Sequence, residues 1–162
     1  MSKLLLYFIL FLAVSRSCLA QSPGSAPLTP IPTTPSTEKA VAAATAFMNA
    51  VITDTDVNNL ITLCALPFCH DDSVILTTRA GLRNALTQFI TTAAKQRART
   101  HPRVDSAYVV DIREEVMFGM VPINIYFTVV SLKFSVQGQE ATKLIILAVQ
   151  LTDEARVVGI QD

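Results

Sequence analysis

Ile123-Asn124-Ile125-Tyr126-Phe127-Thr128-Val129-Val130-Ser131-Leu132-Lys133-Phe134-Ser135-Val136 is the stretch on which the fold turns. Ile125, Phe127 and Val129 recur at every second residue, and Leu132, Phe134 and Val136 continue the alternation on the opposite parity. A period of two, carried by β-branched and aromatic residues, is the pattern of a strand. The change of parity near Val130-Ser131 reads as a bulge, which would bend a long strand. Downstream, Gln137-Gly138 marks a hairpin into Glu140 to Leu151, and Thr152-Asp153-Glu154 marks another into Arg156 to Ile160. Upstream, Val104 to Ile112 is a further strand.

Ahead of His101-Pro102 the period is different. Val41, Ala44, Met48 and Val51 recur at three- and four-residue steps, with Phe47 and Ile52 widening the stripe. Ser36 or Thr37 can cap this helix, and Glu38 suits its positive end. Asp54-Thr55-Asp56 interrupts it and can cap a second, shorter helix carrying Val57, Leu60, Ile61 and Cys64, which Pro67 should close. Phe68 to Asp72 and Ser73 to Leu76 are short extended pieces. Thr77 or Thr78 then caps a third helix to about Arg97, with Leu82, Leu86, Phe89, Ile90 and Ala93 on one face. Lys95, Arg97 and Arg99 fall at its end, where cations complement the carbonyl pole. They read as a solvated helix end.

Three helices near Glu38, Asp56 and Arg79 followed by long strands give an α+β class: three N-terminal helices packed on a strongly bent antiparallel β-sheet. Phe47-Met48-Asn49-Ala50, Asp54-Thr55-Asp56-Val57-Asn58-Asn59-Leu60, Leu66-Pro67-Phe68-Cys69-His70-Asp71-Asp72 and Thr78-Arg79-Ala80-Gly81-Leu82 follow one another in an order that resembles the nuclear transport factor 2-like superfamily. That family has a cystatin-like cone, shared with steroid delta-isomerase and scytalone dehydratase. The resemblance covers about Glu38 to Asp162. It implies a pocket between the curved sheet and the helices, and dimers formed through the sheet, but a fold does not fix a function.

The chain's start supplies its expected compartment. Lys3 precedes an apolar run from Leu4 to Val14, and Ser15-Arg16-Ser17-Cys18-Leu19-Ala20 ends it with small residues at Cys18 and Ala20. These are the parts of a removed secretory signal, residues 1–20, and the run is shorter than the ~20 apolar residues that span a bilayer. The expected location is exported, periplasmic or extracellular. The alternative, a lipid anchor at Cys18, is poorly served by the preceding Ser15-Arg16-Ser17. Residues 21–37 carry Pro23, Pro27, Pro30, Pro32 and Pro35 among Ser, Thr and Gly, a disordered linker by composition. The folded domain is then 38–162. No second apolar run is long enough for a membrane span after signal removal.

Charge and motifs exclude several classes. The chain has 13 basic and 13 acidic residues. Loss of Lys3 and Arg16 with the signal leaves eleven basic residues against the 13 acidic ones, a formal charge of −2. A near-neutral chain has no electrostatic footprint for nucleic acid. No Gly-rich phosphate loop and no Gly-x-Ser-x-Gly elbow occurs, so no cofactor is expected. Two mature cysteines are too few for a structural zinc, and no metal site is expected. Cys64 and Cys69, in an oxidising compartment, are instead a disulfide candidate, with two packed thiols as the alternative.

Catalytic candidates are few. His70-Asp71-Asp72 holds an imidazole and two carboxylates, but successive residues in a turn point apart and read as a polar turn. Asp105 and Asp111 lie six apart, on one face of a regular strand with Tyr108 on the other. At roughly 3.3 Å per residue they are about 20 Å apart and cannot act as a pair. Either could serve as a buried base if its face were covered. Steroid delta-isomerases use a pocket Tyr and carboxylates, yet neither Tyr108, Tyr126 nor either Asp aligns residue by residue with that pattern. The sequence therefore points to a non-catalytic exported domain that dimerises and binds a small apolar ligand or a protein partner in or near a cone-shaped pocket. The alternative is a small-molecule isomerase, dehydratase or hydrolase using acid–base residues of the same pocket.

The pattern Ile145-Ile146-Leu147 bears on assembly, because it is apolar at both parities. A strand wet on one face should alternate, so cover on both faces is expected, and a second copy of the sheet is the simplest cover for the face without helices. The competing account is a bulge that keeps apolar residues pointing inward. For processing, N-terminal sequencing of exported protein should begin at Gln21, and a lipid-blocked Cys18 would contradict the signal assignment.

Overall fold

The computed structural model describes residues 28–53, 56–70, 74–115 and 122–161. The expected signal, the linker before Leu28, and Asp71 and Asp72 lie outside the described residues. Among the described residues three helices, α1 (Pro35–Thr53), α2 (Val57–Thr62) and α3 (Arg79–Thr100), accompany six strands. The strands are β1 (Cys64–His70), β2 (Val74–Leu76), β3 (Arg103–Glu115), β4 (Ile123–Val136), β5 (Gln139–Leu151) and β6 (Ala155–Gln161). They form one sheet in the order β2-β1-β6-β5-β4-β3. Every pairing is antiparallel except β1 with β6, which is parallel. The sheet is therefore mixed, where the strand spacing alone suggested antiparallel throughout.

Local chemistry sets the helix ends. Thr34 and Thr37 exchange hydrogen bonds: the Thr34 amide donates to Thr37 Oγ1 at 2.7 Å, and the Thr37 amide donates to Thr34 Oγ1 at 3.2 Å. This is a reciprocal cap with Pro35 as the first helical residue, where its missing N–H costs nothing. The helix thus starts ahead of the expected Ser36 or Thr37 cap. Ile31, within the expected linker, donates its amide to the Val109 carbonyl at 2.8 Å and packs against the core. Asp56 caps α2 by accepting from the Asn58 amide, and Thr78 caps α3 by accepting from the Gly81 amide. His101 closes α3 in the left-handed region at φ 45.

Two expectations are corrected around Pro67. Helix α2 ends at Thr62, with Leu63 at its C-cap, so Cys64 and Pro67 belong to β1 rather than to the helix and its stop. Proline has no ladder donor. Pro67 sits where the β1–β6 register jumps between Cys64↔Val157 and Cys69↔Gly159, so no regular ladder bond is required of it there. The bulge is also placed differently. Strand β4 pairs β5 without a break from Ile125 to Val136. The extra residues lie on β3, at Asp105 (between Val104↔Leu132 and Ser106↔Ser131) and at Val110 (between Val109↔Thr128 and Asp111↔Phe127). The irregularity is level with Ser131, but on the neighbouring strand. At the β4–β5 hairpin, Gln137 and Gly138 both have positive φ, the requirement of a type I′ turn.

All three helices pack on one face of the sheet. Ala40, Ala44, Phe47, Met48 and Val51 of α1 and Leu82, Leu86 and Ile90 of α3 meet Val130, Ile145, Leu147, Val149 and Val157. Burial of Phe47 is complete. Truncating such a side chain loses both transfer free energy and packing around the hole. Phe47→Ala should therefore cost about 3–5 kcal/mol of unfolding free energy in a denaturant titration.

Candidate functional site

The centre of the space between helices and sheet, where the family resemblance places a pocket, is packed with side chains. Phe47, Phe68, Met48, Leu60, Leu82 and Leu147 are its largest fully buried side chains. A cavity of about 300 Å³ opens instead on the helix-free face, between β1, β6, β5, β4 and the end of β3. A second crevice of about 330 Å³ lies at the β3 edge, under Pro30, Ile31 and the first turn of α1.

The cavity follows from the register. Directly paired residues point to the same side of a sheet. One row across the helix-free face reads Ile75, Cys69, Gly159, Ala148, Phe127, Asp111. Its centre is small and its flanks are large, so the face is hollow there. Gly159 is needed for the hollow: a Cβ would lie 3.2 Å from the Cys69 carbonyl oxygen and 3.3 Å from Ala148 Cβ. The next row reads Gln161, Ile146, Val129, Tyr108, and beyond it come Leu144, Ser131 and Ser106. Apolar groups dominate the floor, with Ile125 and Val158 buried beside Phe127 and Ile146. Arg113, Glu115 and Gln161 stand among the lining residues. Arg113 lies over the Phe127 ring at 4.7 Å, a cation–π contact, while its Nε donates to Asp111 at 2.6 Å.

The two carboxylate candidates, Asp105 and Asp111, end in separate ion pairs. Bulging at Val110 shifts the parity of β3, so Tyr108 and Asp111 share the helix-free side (opposite Val129 and Phe127) rather than facing apart. Asp105 pairs with Lys133 at 2.8 Å, and Asp111 with Arg113. Both carboxylates are partly exposed and already neutralised by a cation, unlike the buried, unpaired acid that acts as a base. His70 closes β1 opposite Val74 and beside Ile160, a residue of the helix-side core, so it lies away from the hollow. Tyr126 is buried on the helix side. Among the described residues no three His, Cys, Asp or Glu side chains are grouped to hold a metal ion. The hollow offers, among the described residues, apolar contact and shape, with Arg113, Glu115 and Gln161 as its polar lining.

The disulfide considered for Cys64 and Cys69 is not seen. Cys64 and Cys69 are both thiols. Cys64 belongs to the helix-side core, whereas Cys69 lines the hollow on the other face, so the sheet itself stands between them. Sequence reading missed the hollow because it depends on small residues from three strands brought side by side. Gly159 inside an apolar strand was the available signal, since a strand glycine marks close backbone approach.

No protein-family model matches the chain, and no curated protein matches it. Solved structures do. A Xanthomonas campestris protein described as a calcium/calmodulin-dependent protein kinase II association domain aligns over 84% of this chain and 94% of its own, at 12% identity and a TM-score of 0.42. A domain of unknown function with a cystatin-like fold from Nostoc punctiforme aligns over 80% of this chain and 77% of its own, at 17% identity and 0.44. The protein Aln2 from a Streptomyces species aligns over 74% and 86%, at 14% identity and 0.38. Scores below 0.5 leave function to be argued from this chain's own residues.

Burial pushes the Cys64 thiol up from 9.0 to about 12, against a smaller opposing pull from Arg156. Above pH 9 the unfolded chain loses this proton and the folded one keeps it. Stability from this group is therefore full below pH 9 and falls by up to about 1.4 kcal/mol per pH unit towards 12. Urea titrations at increasing alkalinity should show a steeper loss for the native chain than for Cys64→Ala.

Proposed function

We propose that this chain is an exported, non-catalytic binding domain of the nuclear transport factor 2-like kind, which dimerises through its helix-free sheet face. The removed signal covers residues 1–20, a tether follows, and the domain begins at the Thr34 cap. The hollow between Cys69, Gly159 and Ala148 is where an apolar ligand or an apolar group of a partner is received.

One observation carries this reading: the middle of the helix-free face is apolar across four strands, and no helix among the described residues lies over it. Val129 and Ile125 are already buried, but Phe127, Ile146 and Ala148 are only half-buried and Leu144 is 51% exposed. Large contiguous apolar patches of this sort mark interaction surfaces. The rim is compatible with a copy of itself, because Asp105–Lys133, Asp111–Arg113 and Arg103–Glu140 cancel their charges within one protomer. An enzyme reading finds less support, since the two candidate carboxylates of β3, Asp105 and Asp111, both lie in ion pairs. No helix among the described residues is long and apolar enough to cross a membrane.

Sedimentation velocity of the mature chain should give a dimer at micromolar concentration. Replacing Phe127 by Ser should shift it to a monomer that stays folded by circular dichroism. A wild-type monomer that also tolerates Phe127→Ser with unchanged solubility would contradict the reading.

A further inference from the structure

We propose that Leu144 of a second copy fills the Cys69–Gly159–Ala148 hollow, and that the exchange is reciprocal, giving two identical plug-and-socket contacts per dimer. This inference rests on the proposed dimer and adds its register and the occupant of the hollow.

Leu144 is out of place in an isolated sheet. It sits on β5, paired with Ser131 of β4 but two residues beyond the last β5–β6 pair, Ile146↔Gln161, and it is 51% exposed, while its neighbour Ile145 is 4% exposed and faces the helices. Pairing with Ser131 puts Leu144 on the same side as Ile146 and Ala148. Its row neighbours there, Ser131 and Ser106, are small, so nothing beside it screens a protruding leucine.

Symmetry connects the protrusion to the hollow. Ile146 lies midway between Leu144 and Ala148 on the same strand. Consider a two-fold axis in the plane between two stacked sheets, crossing β5 at Ile146. It exchanges the two levels, so Leu144 of each copy faces the Ala148 level of the other, and Ile146 meets its own copy. In an isologous interface residue i meets j and j meets i, so one protrusion and one hollow suffice for both protomers. Sheets stacked face to face run within about 30° of alignment, which preserves this correspondence near the axis. The hollow, about 300 Å³, is wide enough for a leucine side chain.

A second copy suits the face better than a charged partner. Three ion pairs at its edge, Arg103–Glu140, Asp111–Arg113 and Asp105–Lys133, hold six of its charged groups in opposite-sign pairs, and Glu115 is the one further charged residue of the hollow's lining among the described residues. Six strands at ~4.8 Å spacing, over about eight residues of ladder, offer roughly 600 Å² of face per protomer, close to the ~800 Å² per partner of a standard interface.

A mutant cycle read by sedimentation, using the mature full-length chain between about 1 and 100 μM, tests the contact. Leu144→Ala should weaken the dimer dissociation constant at least tenfold. Ala148→Leu, which fills the socket from within, should weaken it by a similar factor. The double variant should lose clearly less than the product of the two, because a plugged socket has no use for the plug. Val74→Ala, an equally exposed apolar residue on the other side of β2, should change it less than twofold. Should Ala148→Leu not fold, Leu144→Asp replaces it and should give a folded monomer. A wild-type dimer whose constant is unmoved by Leu144→Ala, or a cycle in which the losses simply multiply, overturns the plug while leaving the dimer standing. A wild-type monomer at the highest concentration overturns both.

Discussion

Strands β4 and β5 carry apolar side chains on both faces, and among the described residues helices cover one face alone. That imbalance organises the molecule. On the covered side, Val130, Ile145, Leu147 and Val149 make a continuous core with α1 and α3, and the helices are positioned by what they bury. At ~25 cal/mol per Å² of apolar surface, a half-buried row on the other side is a standing drive toward association. A charged or polar face would have been the ordinary solution for a sheet exposed to water on one side.

Much of the architecture was legible in the sequence because it follows from periodicity. The three- and four-residue steps of Ala44, Phe47, Met48 and Val51, and the alternation in Ile123 to Val136, gave helices and strands near where they lie. The Gln137-Gly138 turn was legible for the same reason: a tight hairpin demands positive φ, and glycine supplies it. Apolar residues at both parities of Ile145-Ile146-Leu147 do mark two apolar faces. The β4–β5 ladder is continuous, so that pattern is not produced by a bulge within β4.

What escaped the sequence depends on neighbours distant along the chain. The parallel pairing of β1 with β6 joins residues some ninety positions apart and makes a strand of Cys64 to His70, which helical spacing had partly claimed. Proline was read as a helix stop when it lies in an irregular stretch of that strand. Two bulges fall on β3, at Asp105 and Val110, and one on β6, at Val158, none with a special local signature; the one at Val110 moves Tyr108 to the side of Asp111. The site suffered most from this. A hollow made by Cys69, Gly159 and Ala148 exists only after three strands are set in register, whereas the residues singled out for chemistry, Asp105, Asp111 and His70, are ion-paired carboxylates and a strand-end imidazole.

The central claim is that water reaches the helix-free face in the monomer and leaves it on association. Hydroxyl-radical footprinting at two protein concentrations, one well below and one well above the association midpoint, reads this side chain by side chain. The account predicts that Leu144, Ile146 and Phe127 are oxidised in the dilute sample and protected in the concentrated one, while Val74 and Ile112 react equally in both. Equal oxidation of Leu144 and Phe127 at the two concentrations would contradict it.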